Sequence, residues 1–253
     1  AAEREGVSNF PIHIRLIQVC NRLGFAPSEI PQLVQRLQKQ SAVIPRSVFS
    51  HLVGSDAERF DAFTRHQIET FEAASTTLQE GFKHKIIRHI CNTAGIERYP
   101  GAQFDMVRLG IGLYGVDPFT NKMLHNVTTL KTTILQIHEV PADETVGYSR
   151  KGVLTRDSRI AAIPIGYADG LNRHLGNGHA YCQVNGQKAP YVGNICMDVC
   201  MIDVTDIDCK EGDKAIIFGD DLPVTVLSDI LETIPYEILT SVSNRVKRVY
   251  YQD

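Results

Sequence analysis

QFDMVRLGIGLYG (103–115) is the stretch on which the reading of the fold turns. Its apolar residues follow one another as in a buried strand, and at Pro118, just beyond it, the grammar of the chain changes. Upstream, strand-like runs alternate with helical ones. IHIRL (12–16) precedes SEIPQLVQRLQKQ (28–40), where Leu33, Val34 and Leu37 share a stripe. SVFSHLV (47–53) precedes a long helix from about Asp56, with Phe60, Phe63, Ile68 and Phe71 near helical spacing, and KIIRHIC (85–91) follows. Such alternation predicts β/α units on a parallel sheet, with 103–115 as a further strand. Downstream, VTTLKTTILQIHEV (127–140), SRIAAIPIGYA (158–168), AYCQVNGQKAPYV (180–192) and CMDVCMIDV (196–204) are short β runs between turn signals. Asn185-Gly186 predicts a tight hairpin, and only VTVLSDILETI (224–234) reads as helical there. The domain boundary therefore falls near residue 118, with a β/α domain over 1–117 and a mainly β domain over 118–253.

With 253 residues, 43% of them hydrophobic and 22% charged, the chain has ample material for a globular core. A net charge of −3 gives no footprint for nucleic acid. No apolar run approaches the ~18 residues of a membrane span, and AAEREGV is not a signal peptide. Six cysteines lack any C-x-x-C pair; Cys196 and Cys200 share parity on an apparent strand. Two thiols make a poor metal site, so no metal is expected and the cysteines read as reduced, in a cytoplasmic protein.

Polar residues close the apolar runs of the first half: Arg22, His51, Asn92-Thr93 and Arg108. In a β/α barrel the carboxyl ends of the strands form the active-site rim, where side chains from separate strands converge. Each residue alone has an ordinary structural use: a turn histidine, a helix cap, a surface ion pair. Four at equivalent positions point to a site. The glycines of Arg108-Leu109-Gly110-Ile111-Gly112 allow backbone amides to approach an anion, and Thr93 offers a hydroxyl to the same group. In the second half, VGYSRKG (146–152) and IPIGYADG (163–170) each present a tyrosine on a glycine turn, a placement suited to proton transfer when positive charge lies nearby.

Together RLGF (22–25), SHL (50–52), CNTA (91–94), FDMVRLGIGLYG (104–115), VGYSRKG, IPIGYADG, QKAPYVGNICMD (187–198) and YEILTSVSNRVKRVYY (236–251) resemble alanine racemase from about residue 12 to the end. The resemblance implies a partial (β/α)8 TIM-type barrel over 1–117, its C-terminal and cofactor-binding portion, followed by the β domain. It implies pyridoxal 5′-phosphate as cofactor and interconversion of L- and D-alanine for peptidoglycan synthesis. It also implies a cytoplasmic homodimer with composite active sites, in which one subunit's β domain serves the other's barrel.

The family pattern also assigns roles. Arg108 would donate to the cofactor's pyridine nitrogen, and His51, Asn92, Thr93, Gly110 and Ile111 match cofactor-contacting positions. Tyr148 matches the base on one face of the substrate, with His51 linking it to Arg108. Arg22 matches the arginine near the substrate carboxylate, and Met197 and Tyr167 line the way in.

Three departures stand out. No text here matches the A-V-V-K-A-N-A-Y-G motif that carries the Schiff-base lysine, so the chain is expected to begin after roughly the first third of the barrel and to be inactive alone. Arg15 stands where many members have a carbamylated lysine, and Asn244 replaces a tyrosine that contacts the phosphate in some members. Two rival readings follow: a catalytically incompetent fragment, or a racemase for another small amino acid such as serine. The family's D-T-G-M-x-R-L-G also differs from I-Q-V-C-N-R-L-G here. Ile17–Asn21 can be encoded ATA CAG GTA TGC AAC, and one preceding G shifts the frame to read Asp-Thr-Gly-Met-Gln, as a compensated frameshift would.

Overall fold

The computed structural model describes residues 2–17 and 22–251. The proposed frameshift at Ile17–Asn21 falls almost wholly outside the described residues. The chain divides into two compact units, Ala1–Leu113 with Asp117–Asn121, and Tyr114–Val116 with Lys122–Asp253.

In the first unit, β1 (Phe10–Arg15), β2 (Val43–Phe49) and β3 (Ile87–His89) form a parallel sheet in the order β1-β2-β3. Helices α1 (Ile30–Gln38) and α2 (Asp61–Glu80) link the strands, and α3 (Thr93–Arg98) follows β3. Side chains alternate across a strand. Ile14, Val48 and Ile90 therefore turn to the helices and join Ile30, Leu33, Val34, Leu37, Phe71 and Leu78 in one buried cluster. Each such side chain contributes roughly 1.5–3 kcal/mol by leaving water. A Cβ on Gly81, where α2 ends, would come within 2.4 Å of Val34 Cγ1, so glycine there lets the end of α2 approach α1. The opposite face of the sheet carries His13, Arg15, Ser47, Phe49 and His89. It is the face that positions the site.

Two strand expectations are corrected. The second strand is Val43–Phe49 rather than 47–53, so His51 lies two residues past its end. Residues 103–115 form no strand; only Ile111–Tyr114 is regular, as a short 3-10 turn. Asp105 N donates to Arg88 O at 3.1 Å and Arg108 N to Cys91 O at 3.0 Å. The segment thus follows β3 through isolated bonds, and its glycines and turns prevent a ladder from forming.

The second unit contains β4 (Leu130–Thr133), β5 (Gln136–Val140), β6 (Thr145–Val146), β7 (Gly152–Val153), β8 (Ser158–Ile163), β9 (Tyr181–Val184), β10 (Gln187–Val192), β11 (Cys200–Asp203) and β12 (Lys214–Phe218). Seven of these form a sheet in the order β4-β12-β9-β10-β11-β8-β5, and β6 pairs with β7. Asn185 and Gly186 take φ of 48° and 76°, the left-handed pair that a two-residue hairpin requires between β9 and β10. Cys196 precedes β11 and is not on a strand with Cys200. Besides α4 (Val224–Ile230) there is a second helix, α5 (Pro235–Ser241), which the sequence reading does not anticipate. Only Pro235 and Ile238 of α5 are buried, too few for a periodic signal. Among the described residues no helix is long and apolar enough to cross a membrane, and no group of three or more His, Cys, Asp or Glu could hold a metal.

Candidate functional site

Four hydrogen bonds anchor the Arg108 side chain in the first unit. Its Nη1 donates to His89 Nδ1 at 2.6 Å and His89 O at 3.3 Å, and its Nη2 to Ser50 O at 2.6 Å and Ile90 O at 3.3 Å. A guanidinium carries five N–H donors and no acceptor. All four Nη hydrogens are engaged, and among the described residues nothing accepts from Nε–H. The half-buried arginine thus keeps one spare donor of fixed direction, suited to an acceptor such as an unprotonated ring nitrogen. Its guanidinium carbon also lies 5.4 Å from the centre of the Phe49 ring, which Arg15 approaches at 5.8 Å.

His51 sits beyond β2, in a turn held by Gln67 of α2, whose Nε2 donates to His51 O at 2.7 Å. Burial depresses the pKa of His51, and the charges of Arg108, Arg22 and Arg15 depress it further. The ring is therefore kept neutral among cations. The exposed Arg22 occupies a turn returning to β1: Phe25 N donates to Arg15 O at 2.9 Å, and a Cβ on Gly24, at φ +129°, would fall 2.3 Å from that oxygen. The structure thus brings Arg22, His51 and Arg108 into one electrostatic neighbourhood.

His89 is buried, and its pKa is lowered to about 4 by burial first and by Arg108 and His13 next. In the unfolded chain it returns to about 6.5. Between these values the unfolded state binds a proton that the folded state refuses, so stability is full above about 6.5 and falls as pH drops toward 4. Below that this histidine costs nothing further. Denaturant midpoints measured across this range should slope less steeply for His89→Gln than for the parent; equal slopes would remove His89 as the source.

Thr93 opens α3. Its Oγ1 accepts from Gly110 N at 2.9 Å and Gly112 N at 3.3 Å. The two glycine amides thus meet the Thr93 hydroxyl. Because Oγ1 accepts twice, the hydroxyl proton is left to donate, and among the described residues nothing accepts from it or from Ile111 N–H. These two donors are free for an anionic oxygen. A Cβ on Gly112 would sit 2.6 Å from Thr93 Cγ2 and displace the threonine. Asn92 is mainly structural: Oδ1 caps Gly95 N at 3.0 Å and accepts from Ser55 at 2.9 Å, and Nδ2 donates to Leu52 O at 3.3 Å. One amide hydrogen remains for a ligand.

In the second unit, Tyr148, Tyr167 and Met197 are all exposed. Gly147 at φ 77°, Ser149 at 57° and Arg150 at 53° flank Tyr148, a run of left-handed backbone that presents its ring outward. Asn194 Nδ2 ties Tyr148 O to the 193–197 loop at 3.2 Å. Tyr167 N donates to Cys196 O and Ala168 N to Met197 O, each at 3.0 Å. Arg245 clamps the same loops, with Nε on Asp169 at 2.7 Å and Nη2 on Asp198 at 2.5 Å. Sequence reasoning missed this clamp, whose only sign was an arginine in NRVKR.

Comparison with known proteins is consistent over the whole chain. The family model described as "Alanine racemase, N-terminal domain" matches residues 1–118, and "Alanine racemase, C-terminal domain" matches 127–250. Alanine racemase 1 of Clostridium acetobutylicum is 39% identical, over 100% of this chain and 68% of its own length. The structure of alanine racemase from Clostridium difficile 630 aligns with a TM-score of 0.89 at 31% identity, covering 99% of this chain and 66% of that one. That from Bartonella henselae, with covalently bound pyridoxal phosphate, aligns at 0.84 and 31%, covering 99% and 68%. The chain thus spans about two thirds of the length of the relatives it matches.

Proposed function

The chain belongs to the alanine racemase family, and from this we propose that its residues serve the interconversion of L- and D-alanine on pyridoxal 5′-phosphate. One observation carries the reading: Arg108 has four hydrogens anchored and only Nε–H spare. A pyridine nitrogen needs one such donor, and arginine will not give up its proton. The Thr93 hydroxyl and Ile111 N–H provide for the phosphate. When bound, the cofactor supplies an electron-accepting ring that acidifies the substrate's α-proton. Arg108 keeps the ring nitrogen unprotonated, which moderates that effect and favours return of the proton. Arg22 pairs with the substrate carboxylate, Tyr148 takes or delivers the α-proton on one face, and neutral His51 stands beside Arg108. Tyr167 and Met197 line the approach.

The active unit in this reading is a cytoplasmic homodimer in which Tyr148 and Met197 of one copy serve the first unit of the other, and the product D-alanine enters peptidoglycan. Because no residue matches the family's Schiff-base lysine, no lysine of this sequence is assigned as the second base.

Cofactor binding provides the test. Pyridoxal phosphate should be retained on dialysis and displaced by inorganic phosphate. Thr93→Val should weaken its affinity about tenfold, as loss of a hydrogen bond to a charged group does. No binding, or an affinity indifferent to Thr93, would sink the proposal. Binding with no exchange of alanine's α-proton would leave the cofactor site standing and remove turnover from this chain.

A further inference from the structure

His13 of β1, Ser47 of β2 and His89 of β3 are polar residues on one sheet face, and the catalytic assignment uses none of them. His13 and Ser47 are paired in register, as are Phe49 and His89. Their side chains form a continuous chain that ends on Arg108. Arg108 Nη1 lies 2.6 Å from His89 Nδ1, His89 Nε2 lies 3.3 Å from Ser47 Oγ, and Ser47 Oγ lies 2.5 Å from His13 Nδ1. Phe49 stacks on His89 with ring centres 5.1 Å apart and planes 4° apart, which fixes the imidazole plane.

The direction of this chain follows from its first member. Arginine only donates, so His89 Nδ1 must accept and its proton must sit on Nε2. Nε2–H then donates to Ser47, whose hydroxyl proton is left for His13 Nδ1. His13 in turn carries its proton on Nε2. We infer that Arg108 is aimed by a one-way hydrogen-bond relay, Arg108→His89→Ser47→His13, in which both histidines are locked as Nε2–H tautomers. His89, Ser47 and His13 are thus positioning residues. They orient the arginine so that its spare Nε–H has one direction, and the neutral His89 adds no second charge beside it. The low pKa of His89, about 4, agrees with an imidazole held neutral.

The inference rests on the proposed role of Arg108 only for its consequence, since the relay itself needs no cofactor. The test uses the full chain with ring-¹⁵N histidine at pH 8, where long-range proton–nitrogen correlations report the tautomer of each ring. His89→Gln and His13→Gln assign the signals by their loss. His89 and His13 should each show the Nε2–H pattern. Ser47→Ala, a near-isosteric change, should leave His89 locked by Arg108 and release His13 to a mixture of tautomers. In parallel, His89→Asn, which keeps an acceptor near the Nδ1 position, should hold pyridoxal phosphate nearly as well as the parent. His89→Leu should lose about tenfold or more. A His89 protonated on Nδ1, or a His13 pattern untouched by Ser47→Ala, would overturn the relay whether or not cofactor binds. Failure of the parent chain to bind cofactor would instead overturn the functional reading.

Discussion

Gly166→Ala should destabilise the second unit by about 3 kcal/mol, the upper range for forcing a methyl into packed structure. Gly166 takes an extended conformation that any residue adopts (φ −149°), so the demand for glycine comes from space alone. A Cβ there would lie 2.3 Å from Cys196 O, 2.3 Å from Met197 O and 2.4 Å from Met197 C. All three are backbone atoms, which cannot swing aside as a side chain does. Relief requires the 166–169 turn to separate from the 196–197 loop, breaking the Tyr167-to-Cys196 and Ala168-to-Met197 bonds. Chemical denaturation gives the stability, and amide exchange at Tyr167 and Ala168 should rise in the variant. Gly101→Ala is the control, since nothing lies within 4 Å of its Cβ and it should be neutral or slightly stabilising. A Gly166→Ala chain as stable as the parent, with unchanged exchange, would mean that the two loops are not held together as described.

What was legible in the sequence depended on whether a residue's use is local. The alternation of apolar runs identified the β/α character of the first half because each helix and strand buries its own stripe. Asn185-Gly186 announced its hairpin because left-handed backbone at both positions is a property of those two residues. The stretch 103–115 misled because apolar content alone does not make a strand: its amides go singly to Arg88 O, Cys91 O and the Thr93 hydroxyl. Arg108 and Thr93 were found as polar residues closing apolar runs, and the resemblance to a family then gave them roles. The reason Arg108 has one free donor was not legible, since its partners Ser50, His89 and Ile90 come from separate segments that meet only in the fold. The same holds for His13, Ser47 and His89, each an ordinary polar residue inside an apolar run. Asn92 was read as either cap or ligand, and the geometry makes it chiefly a cap.

Tyr148→Phe should separate the two directions of the proposed reaction. The substitution keeps an exposed ring on the same left-handed turn and removes only the hydroxyl. If Tyr148 handles the α-proton on one face, exchange from the enantiomer presented to that face should fall by about 10²-fold or more, the usual loss for a positioned acid–base group. The family pattern places a lysine on the opposite face. In a full-length protein that carries this lysine, the form in which the test is made, the other enantiomer should therefore be affected much less. Deuterium exchange at the α-carbon, followed separately for L- and D-alanine in D₂O with pyridoxal phosphate supplied, distinguishes the two. Asn194→Ala provides an internal comparison, because it loosens the bond to Tyr148 O while leaving the hydroxyl in place. It should lower exchange from the same enantiomer, but less than Tyr148→Phe does. Equal and small losses for both enantiomers in Tyr148→Phe would reduce Tyr148 to a packing residue. The base on that face would then have to be sought among other residues of the second unit.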